Sequence, residues 1–263
     1  MDWPTILAAL AAGGLIGLVL GLVGGGGSIL AVPLLIYFVG VESTHLAIGT
    51  AAVAVAINAA VGLVAHARCG NVKWACAAVF ASTAIIGAAI GAEIGKAVDG
   101  ARLLALFALL MIGVGALMIR KPTSPRDEDV VLDRASAGKL LPRLLPAGLG
   151  VGGFSGFFGI GGGFLIVPGL TAATAMPISV AIGSSLLVIT AVGATTAVSY
   201  AFSGLVQWDL VGVLFAGGVA GALAGNFALR AIAAHTRALE MGFGLLIVCV
   251  GGLILAREFS AFA

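Results

Sequence analysis

Apolar residues run along this chain in long uncharged stretches of helix length, with neither the alternation of half-buried strands nor the short bursts of a soluble core. From Trp3 to Val41 no residue is charged, yet Gly24-Gly25-Gly26-Gly27 cuts the run into a span of about 19 residues and a piece of 12, Ser28 to Val39. At 1.5 Å per residue the second piece reaches about 18 Å, little more than half of a hydrocarbon core of roughly 30 Å. It predicts a short, tilted or half-membrane helix. Uncharged runs at Leu46–Ala65, Trp74–Ala92 and Leu103–Ile119 are each long enough to cross. They are separated by polar stretches holding His66, Arg68 and Lys73, and then Lys96, Asp99 and Arg102. Between Leu144 and Trp208 lie 65 residues without a charge, which must fold back at least once and contain a second cluster, Gly159-Ile160-Gly161-Gly162-Gly163. Leu210–Leu229 and Ala238–Ala256 are the last apolar runs. The pattern predicts an all-α polytopic membrane protein, with about eight long transmembrane helices and two short half-membrane helices after the glycine breaks.

The two halves of the pattern match. At an offset of about 135, Gly26-Gly27-Ser28-Ile29-Leu30-Ala31-Val32-Pro33 falls on Gly161-Gly162-Gly163-Phe164-Leu165-Ile166-Val167-Pro168. After one dropped residue, His45-Leu46-Ala47-Ile48-Gly49-Thr50 meets Ser179-Val180-Ala181-Ile182-Gly183-Ser184, and Gly70-Asn71-Val72-Lys73-Trp74 meets Gly204-Leu205-Val206-Gln207-Trp208. Shared Pro and Trp positions in the same order indicate a duplication. Residues 1–119 form the first membrane repeat, 120–143 a charged linker and 144–263 the second repeat. The linker holds ten of the chain's charges: Arg120, Lys121, Arg126, Asp127, Glu128, Asp129, Asp133, Arg134, Lys139 and Arg143. With the linker cytoplasmic, an inverted second copy puts ten Lys and Arg inside and three outside, against nine and four for parallel copies. The positive-inside rule favours inversion.

Composition sharpens this picture. Hydrophobic residues make up 61% of the 263, charged residues only 9%, and mean hydropathy is +1.21; a soluble domain carries about a quarter of its residues as charges. A water-soluble fold is excluded. Net charge is +2, with no basic patch or acidic tail, so nucleic acid is not an expected partner. Cys69, Cys76 and Cys249 show no paired spacing and lie in or beside apolar segments, which argues against a disulfide framework or a zinc site. The start, Met1-Asp2-Trp3-Pro4, lacks the basic region of a signal peptide and reads as the approach to the first membrane segment. Glycine is the anomaly: 41 residues, about twice the usual share.

Part of that excess forms small-xxx-small stripes, at Gly13/Gly17/Gly21, Gly87/Gly91/Gly95, Gly148/Gly152/Gly156 and Gly217/Gly221/Gly225, which let helices pack closely. The two clusters are different. As nucleotide loops they fail, since Gly27 stands where a phosphate-binding Lys belongs and no strand precedes either cluster. As helix breaks they make physical sense, because consecutive glycines disfavour helix by about 1 kcal/mol each and leave backbone groups that need a partner. Helices starting at Ser28 and Phe164 would aim free N–H groups and a positive dipole end at the breaks, a site for an anion. Candidate substrate-binding residues are therefore Gly25, Gly26, Gly27, Ser28 and Pro33 in one copy, and Gly161, Gly162, Gly163 and Pro168 in the other. Gly49 and Thr50, matched by Gly183, Ser184 and Ser185, start long apolar helices and offer hydroxyls to the same ion. Asn58, the amide deep in its span, is equally suited to an interhelical hydrogen bond. Glu42, His45, His66 and Glu93 are candidate proton carriers, and all four fall at or near span ends, where interfacial placement is expected.

Gly-Gly-Gly-Gly-Ser-Ile-Leu-Ala-Val-Pro at 24–33 and Gly-Ile-Gly-Gly-Gly-Phe-Leu-Ile-Val-Pro at 159–168, each leading to an Ala-Ile-Gly-(Thr/Ser) segment, resemble the sulfite exporter TauE/SafE family of membrane permeases. The resemblance covers nearly the whole chain. It implies a multi-pass inner-membrane protein that transports small anions, typically sulfur-containing ones such as sulfite, sulfoacetate or thiosulfate. The expected partners are that anion, a proton or cation as coupling ion, and the lipid bilayer. No catalytic residue, cofactor or metal is expected. Two rival readings come from other classes. An intramembrane serine protease would use Gly153-Phe154-Ser155-Gly156, but the single later histidine, His235, lies in the polar stretch between Arg230 and Arg237. A non-transporting scaffold would signal through an extramembrane domain for which the pattern leaves no room.

Overall fold

A computed structural model describes residues 2–23, 25–120, 136–159, 163–232 and 236–262. These contain ten α-helices: α1 (Trp3–Val23), α2 (Ser28–Leu34), α3 (Thr44–Arg68), α4 (Trp74–Lys96), α5 (Gly100–Arg120), α6 (Ala137–Phe158), α7 (Gly163–Thr174), α8 (Ile178–Phe202), α9 (Trp208–Ile232) and α10 (Thr236–Phe262). No β-strand occurs among the described residues. Helices α1, α3, α4, α5, α8 and α9 each contain a segment long and apolar enough to cross a bilayer. The short α2 and α7 follow the two glycine clusters.

Helix α4 is largely inside-out by the standards of a soluble protein. Apart from Cys76 and Phe80, its buried face is Ala77, Ala81, Ala84, Gly87, Ala88, Gly91, Ala92 and Gly95, while Ile85, Ile86, Ile90 and Ile94 point outward. In lipid no hydrophobic force separates Ile from Ala, so close backbone packing decides which face turns inward.

Packing joins the two halves of the chain helix by helix: α1 lies on α9, α4 on α6, α5 on α10 and α3 on α8. In the α1/α9 seam a Cβ at Gly13 would strike Leu214, and one at Gly17 would strike Gly218. In the α4/α6 seam Gly148 meets Phe80 and Gly152 meets Ala84, the same contacts one repeat later. Sequence numbers rise together along both seams, so these pairs run parallel. Helices α3 and α8 run antiparallel: Gly49 meets Leu205, Gly193 meets Ala56 and Gly62 meets Leu186.

At its C-terminal end α8 is also tied to α4 by a polar cluster between the halves. Glu93 Oε1 accepts from Lys96 Nζ (2.8 Å) and from Ser199 Oγ (2.8 Å), while Lys96 Nζ also donates to Ser203 Oγ (3.0 Å). The positions one repeat away from Ser199 and Ser203 are Ala65 and Cys69, which cannot reproduce it. Helix α6 starts at Ala137, so its first turns, with Lys139, Pro142 and Arg143, fall within the stretch expected as linker.

Candidate functional site

After α1 the chain doubles back. Gly25–Gly27 forms one 3-10 turn, and Gly27 lies so close to the Ile16 carbonyl and the Leu20 amide that a side chain there would collide with backbone. Ser28 to Pro33 are all buried. Pro33 has no N–H to give the carbonyl four residues back. Two residues later the helix widens into a π turn, Leu35–Val39, ending at Gly40 with φ +83°. Gly40 N–H and Val41 N–H both return to Leu35 O.

The second break begins at Gly159, whose φ of +64° ends α6 in the left-handed region that favours glycine. Its N–H returns to the carbonyls of Gly156 and Ser155. Gly161 and Gly162, two of the expected site residues, lie outside the described residues, as does Ile160. Gly163 is buried at the start of α7, and Pro168 sits within that helix.

Each break meets the other half. The Gly25–Gly27 turn packs against α7 and α8, and α2 touches α7. Gly159 rests on Ile48, the residue before Gly49 and Thr50 on α3. The glycine turns, the short helices and the Ala-Ile-Gly-(Thr/Ser) helices therefore converge at the core of the bundle.

The structure gives Gly49, Thr50, Gly183 and Ser184 a task in packing. Thr50 Oγ1 accepts the Gln207 N–H (3.0 Å), and Ser184 Oγ accepts the Lys73 N–H (2.9 Å). Beside them Gly49 packs on the Leu205 carbonyl and Gly183 on the Asn71 carbonyl. Both contacts recur after 134 residues, and both join a long helix of one half to a helix connection of the other. Each hydroxyl keeps its own proton available for a further acceptor. Ser185 Oγ donates to Ile182 O (2.8 Å). Asn58 lies against Gly218 of α9, with its Oδ1 buried and unpartnered.

Of the four candidate proton carriers, Glu42 and Glu93 are exposed, and His45 and His66 are partly buried in the first and last turns of α3. His45 Nε2 donates to Val98 O (3.2 Å), so a neutral His45 leaves a bare Nδ1, which is buried without a partner. The groove of about 430 Å³ between α4 and α6 is lined by Ile90, Ile94, Leu149, Phe154, Phe157 and glycines. It suits lipid rather than an anion.

Sequence reasoning did not single out three buried hydroxyls, Thr196 Oγ1, Tyr200 Oη and, as a possible binding group, Ser155 Oγ. None has a hydrogen-bond partner. The available signal was the rarity of such groups in a long uncharged run, and, for Ser155, its match to the apolar Leu20.

The described helices form a multi-pass membrane bundle with glycine-started short helices at its core, an architecture that membrane transporters use. Comparison with known proteins gives the family. The sulfite exporter TauE/SafE family model matches residues 9–254, and the chain belongs to that family, a family of transporters rather than an enzyme class. It is 43% identical over 262 residues to a "Probable membrane transporter protein" of Xylella fastidiosa (strain Temecula1), covering 99% of both chains. It is 26% identical over 213 residues to "Probable membrane transporter protein YdhB" of Bacillus subtilis, covering 80% of this chain and 85% of that one. With "Probable membrane transporter protein MJ0441" of Methanocaldococcus jannaschii it shares 29% over 188 residues, 69% of this chain and 67% of the relative. No solved structure gives a significant match.

Proposed function

We propose that the chain is a secondary transporter that exports a small sulfur-containing anion, such as sulfite, sulfoacetate or thiosulfate, across a bacterial plasma membrane. The anion binds between the two glycine breaks, with Gly25, Gly26, Gly27 and Ser28 on one side and Gly161, Gly162 and Gly163 on the other. Backbone N–H groups at the starts of the short helices supply the attraction. Pro33 and Pro168 sit within those helices, Thr50 and Ser184 add hydroxyl protons, and Gly49, Gly183, Ser185 and Asn58 shape the surroundings. The observation that carries this reading is the seating of each break on the opposite half: Gly25–Gly27 against α7 and α8, and Gly159 against Ile48.

The two halves act as inverted repeats, with the linker cytoplasmic. Antiparallel packing of the equivalent helices α3 and α8 supports that arrangement. Rocking of one half against the other then gives alternating access to the fixed site. No permanent cation is needed at the breaks, so binding is weak and reversible. An inside-negative potential drives an anion outward by about 2.3 kcal/mol per charge per 100 mV, which makes export possible without a coupling ion. Import would require a cotransported proton or cation.

The test is flux from proteoliposomes loaded in turn with sulfite, thiosulfate, sulfoacetate and sulfate. Export of at least one, accelerated by a potential negative on the loaded side, is expected. Rates no higher than those of empty liposomes for all four would refute the reading.

A further inference from the structure

We propose that Tyr200 gates one mouth of the bundle, latched shut by Glu93, Lys96, Ser199 and Ser203, and that the opposite mouth has no such latch; this rests on the transport reading above. The gated mouth is the end where α4 and α8 finish and α3 begins. Helix α5 runs from there to the linker, so with the linker cytoplasmic this is the outer mouth. Lys96 Nζ from α4 stands 5.8 Å from the centroid of the Tyr200 ring, within cation–π range, and the ring of His45 from α3 lies 6.5 Å away, centroid to centroid. Tyr200 Cβ and the Leu205 carbonyl both press on Gly49, the neighbour of the candidate anion contact Thr50. Tyr200 thus meets the polar cluster through its ring and the candidate site through its Cβ.

Two opposing tendencies meet at this mouth. Tyr200 is fully buried and its Oη has no hydrogen-bond partner; the Nδ1 of His45 is buried without one as well. Desolvated polar atoms favour any arrangement that brings them to water, and at the end of a membrane bundle that arrangement is the open mouth. The latch opposes it. Ser199 Oγ donates to Glu93 Oε1, and Lys96 Nζ donates to Ser203 Oγ and to the Ser199 carbonyl (3.4 Å), so charged groups of α4 hold α8 on both sides of Tyr200 in sequence. At the repeat offset, α3 carries Ala65, His66 and Cys69 in the register of Ser199, Tyr200 and Ser203, and Phe227 stands in that of Glu93. His66 Nδ1 is buried and unpartnered, as Tyr200 Oη is. The tendency to open therefore recurs at the inner mouth, but the carboxylate and both hydroxyls that restrain it do not. The inner mouth opens more readily, and the unloaded protein waits facing the cytoplasm, where an exporter meets its anion.

The experiment is amide hydrogen exchange on the full-length protein in lipid nanodiscs, without anion. Two amides report the two mouths: Gln207 N–H, bonded to Thr50 Oγ1 at the outer end, and Lys73 N–H, bonded to Ser184 Oγ at the inner. Ser199→Ala combined with Ser203→Ala cuts the side-chain link between α4 and α8 and leaves the Glu93–Lys96 pair in place. A hydrogen bond to a charged group is worth about tenfold or more in an equilibrium. The double variant is expected to speed exchange at Gln207 about tenfold and at Lys73 less than about twofold. Tyr200→Phe, which removes the unpartnered hydroxyl and keeps the ring, should slow exchange at Gln207 about threefold or more. Exchange at Gln207 within about twofold of wild type in the double variant overturns the inference. Equal acceleration at both amides does the same, since it marks a general loosening, and so does exchange in Tyr200→Phe that is unchanged or faster. Each of these results leaves the transport reading standing if the wild type moves one of the four anions in liposomes. A wild-type protein that moves none overturns both.

Discussion

Two glycines on one helix, separated by a single residue, should respond in opposite directions to the same added methyl. A Cβ at Gly152 would lie 2.5 Å from the Cα and 2.6 Å from the carbonyl carbon of Ala84, backbone atoms of α4 that no rotamer change can move. Carbon atoms prefer separations of about 3.5–4.0 Å, so Gly152→Ala forces α4 and α6 apart by on the order of 1 Å. Such a gap forfeits a quarter to a half of each contact along the seam, and overpacking of this kind costs about 1–3 kcal/mol. The gain in helix propensity from Gly to Ala, about 1 kcal/mol, offsets part of this and leaves a net loss of up to about 2 kcal/mol. A Cβ at Gly150 would meet nothing within 4 Å, so Gly150→Ala keeps the propensity gain alone. The two variants should differ by about 1–3 kcal/mol, or roughly 2–12 °C in unfolding temperature for a chain of this size. Thermal unfolding of purified protein in detergent, followed by loss of the folded size-exclusion peak, measures the gap. Gly17→Ala, which strikes Gly218 in the equivalent seam, should repeat the loss. A Gly152→Ala protein as stable as Gly150→Ala would show that the seams are not packed backbone to backbone, and the reasoning would fail.

Thr50→Val and Ser184→Ala each strand a backbone N–H, that of Gln207 or Lys73, and should destabilise by about 1–3 kcal/mol. Thr50→Ser should unfold close to wild type in the same assay. With Cys69, Cys76 and Cys249 replaced, Glu93→Cys and Ser199→Cys joined through disulfides by a short bis-methanethiosulfonate should lose anion flux, and reduction should restore it. Undiminished flux in the cross-linked protein would show that α4 and α8 do not part at that end during transport.

The first glycine break and the short helices were legible in the sequence because each depends on local chemistry. Four consecutive glycines end a helix wherever they stand. The glycine stripes were legible as packing surfaces, but their partners were not: nothing local tells Gly17 that it will meet Gly218 rather than a helix of its own half. Thr50 and Ser184 were legible as the polar starts of apolar helices. That each hydroxyl accepts an N–H from a connection more than a hundred residues away is a tertiary fact. The beginning of α6 was hidden for another reason. Pro142, Pro146, Lys139 and Arg143 resemble a linker, yet two prolines four residues apart fall on one side of a helix and leave the rest of its ladder intact.

Pairing of α1 with α9 and of α4 with α6 bears on how the protein is made. When α1 to α5 have entered the membrane, Gly13 and Gly17 have no α9 to receive them, and Ala84 and Gly87 have no α6. The early product is an open set of helices whose small-residue faces meet lipid tails until the later helices arrive. A chain that stops in the linker would stay in that state, and its rescue would need the missing helices supplied as a separate polypeptide. Insertion of α6 to α10 is thus the step in which the whole molecule, and not only its second half, acquires its packing.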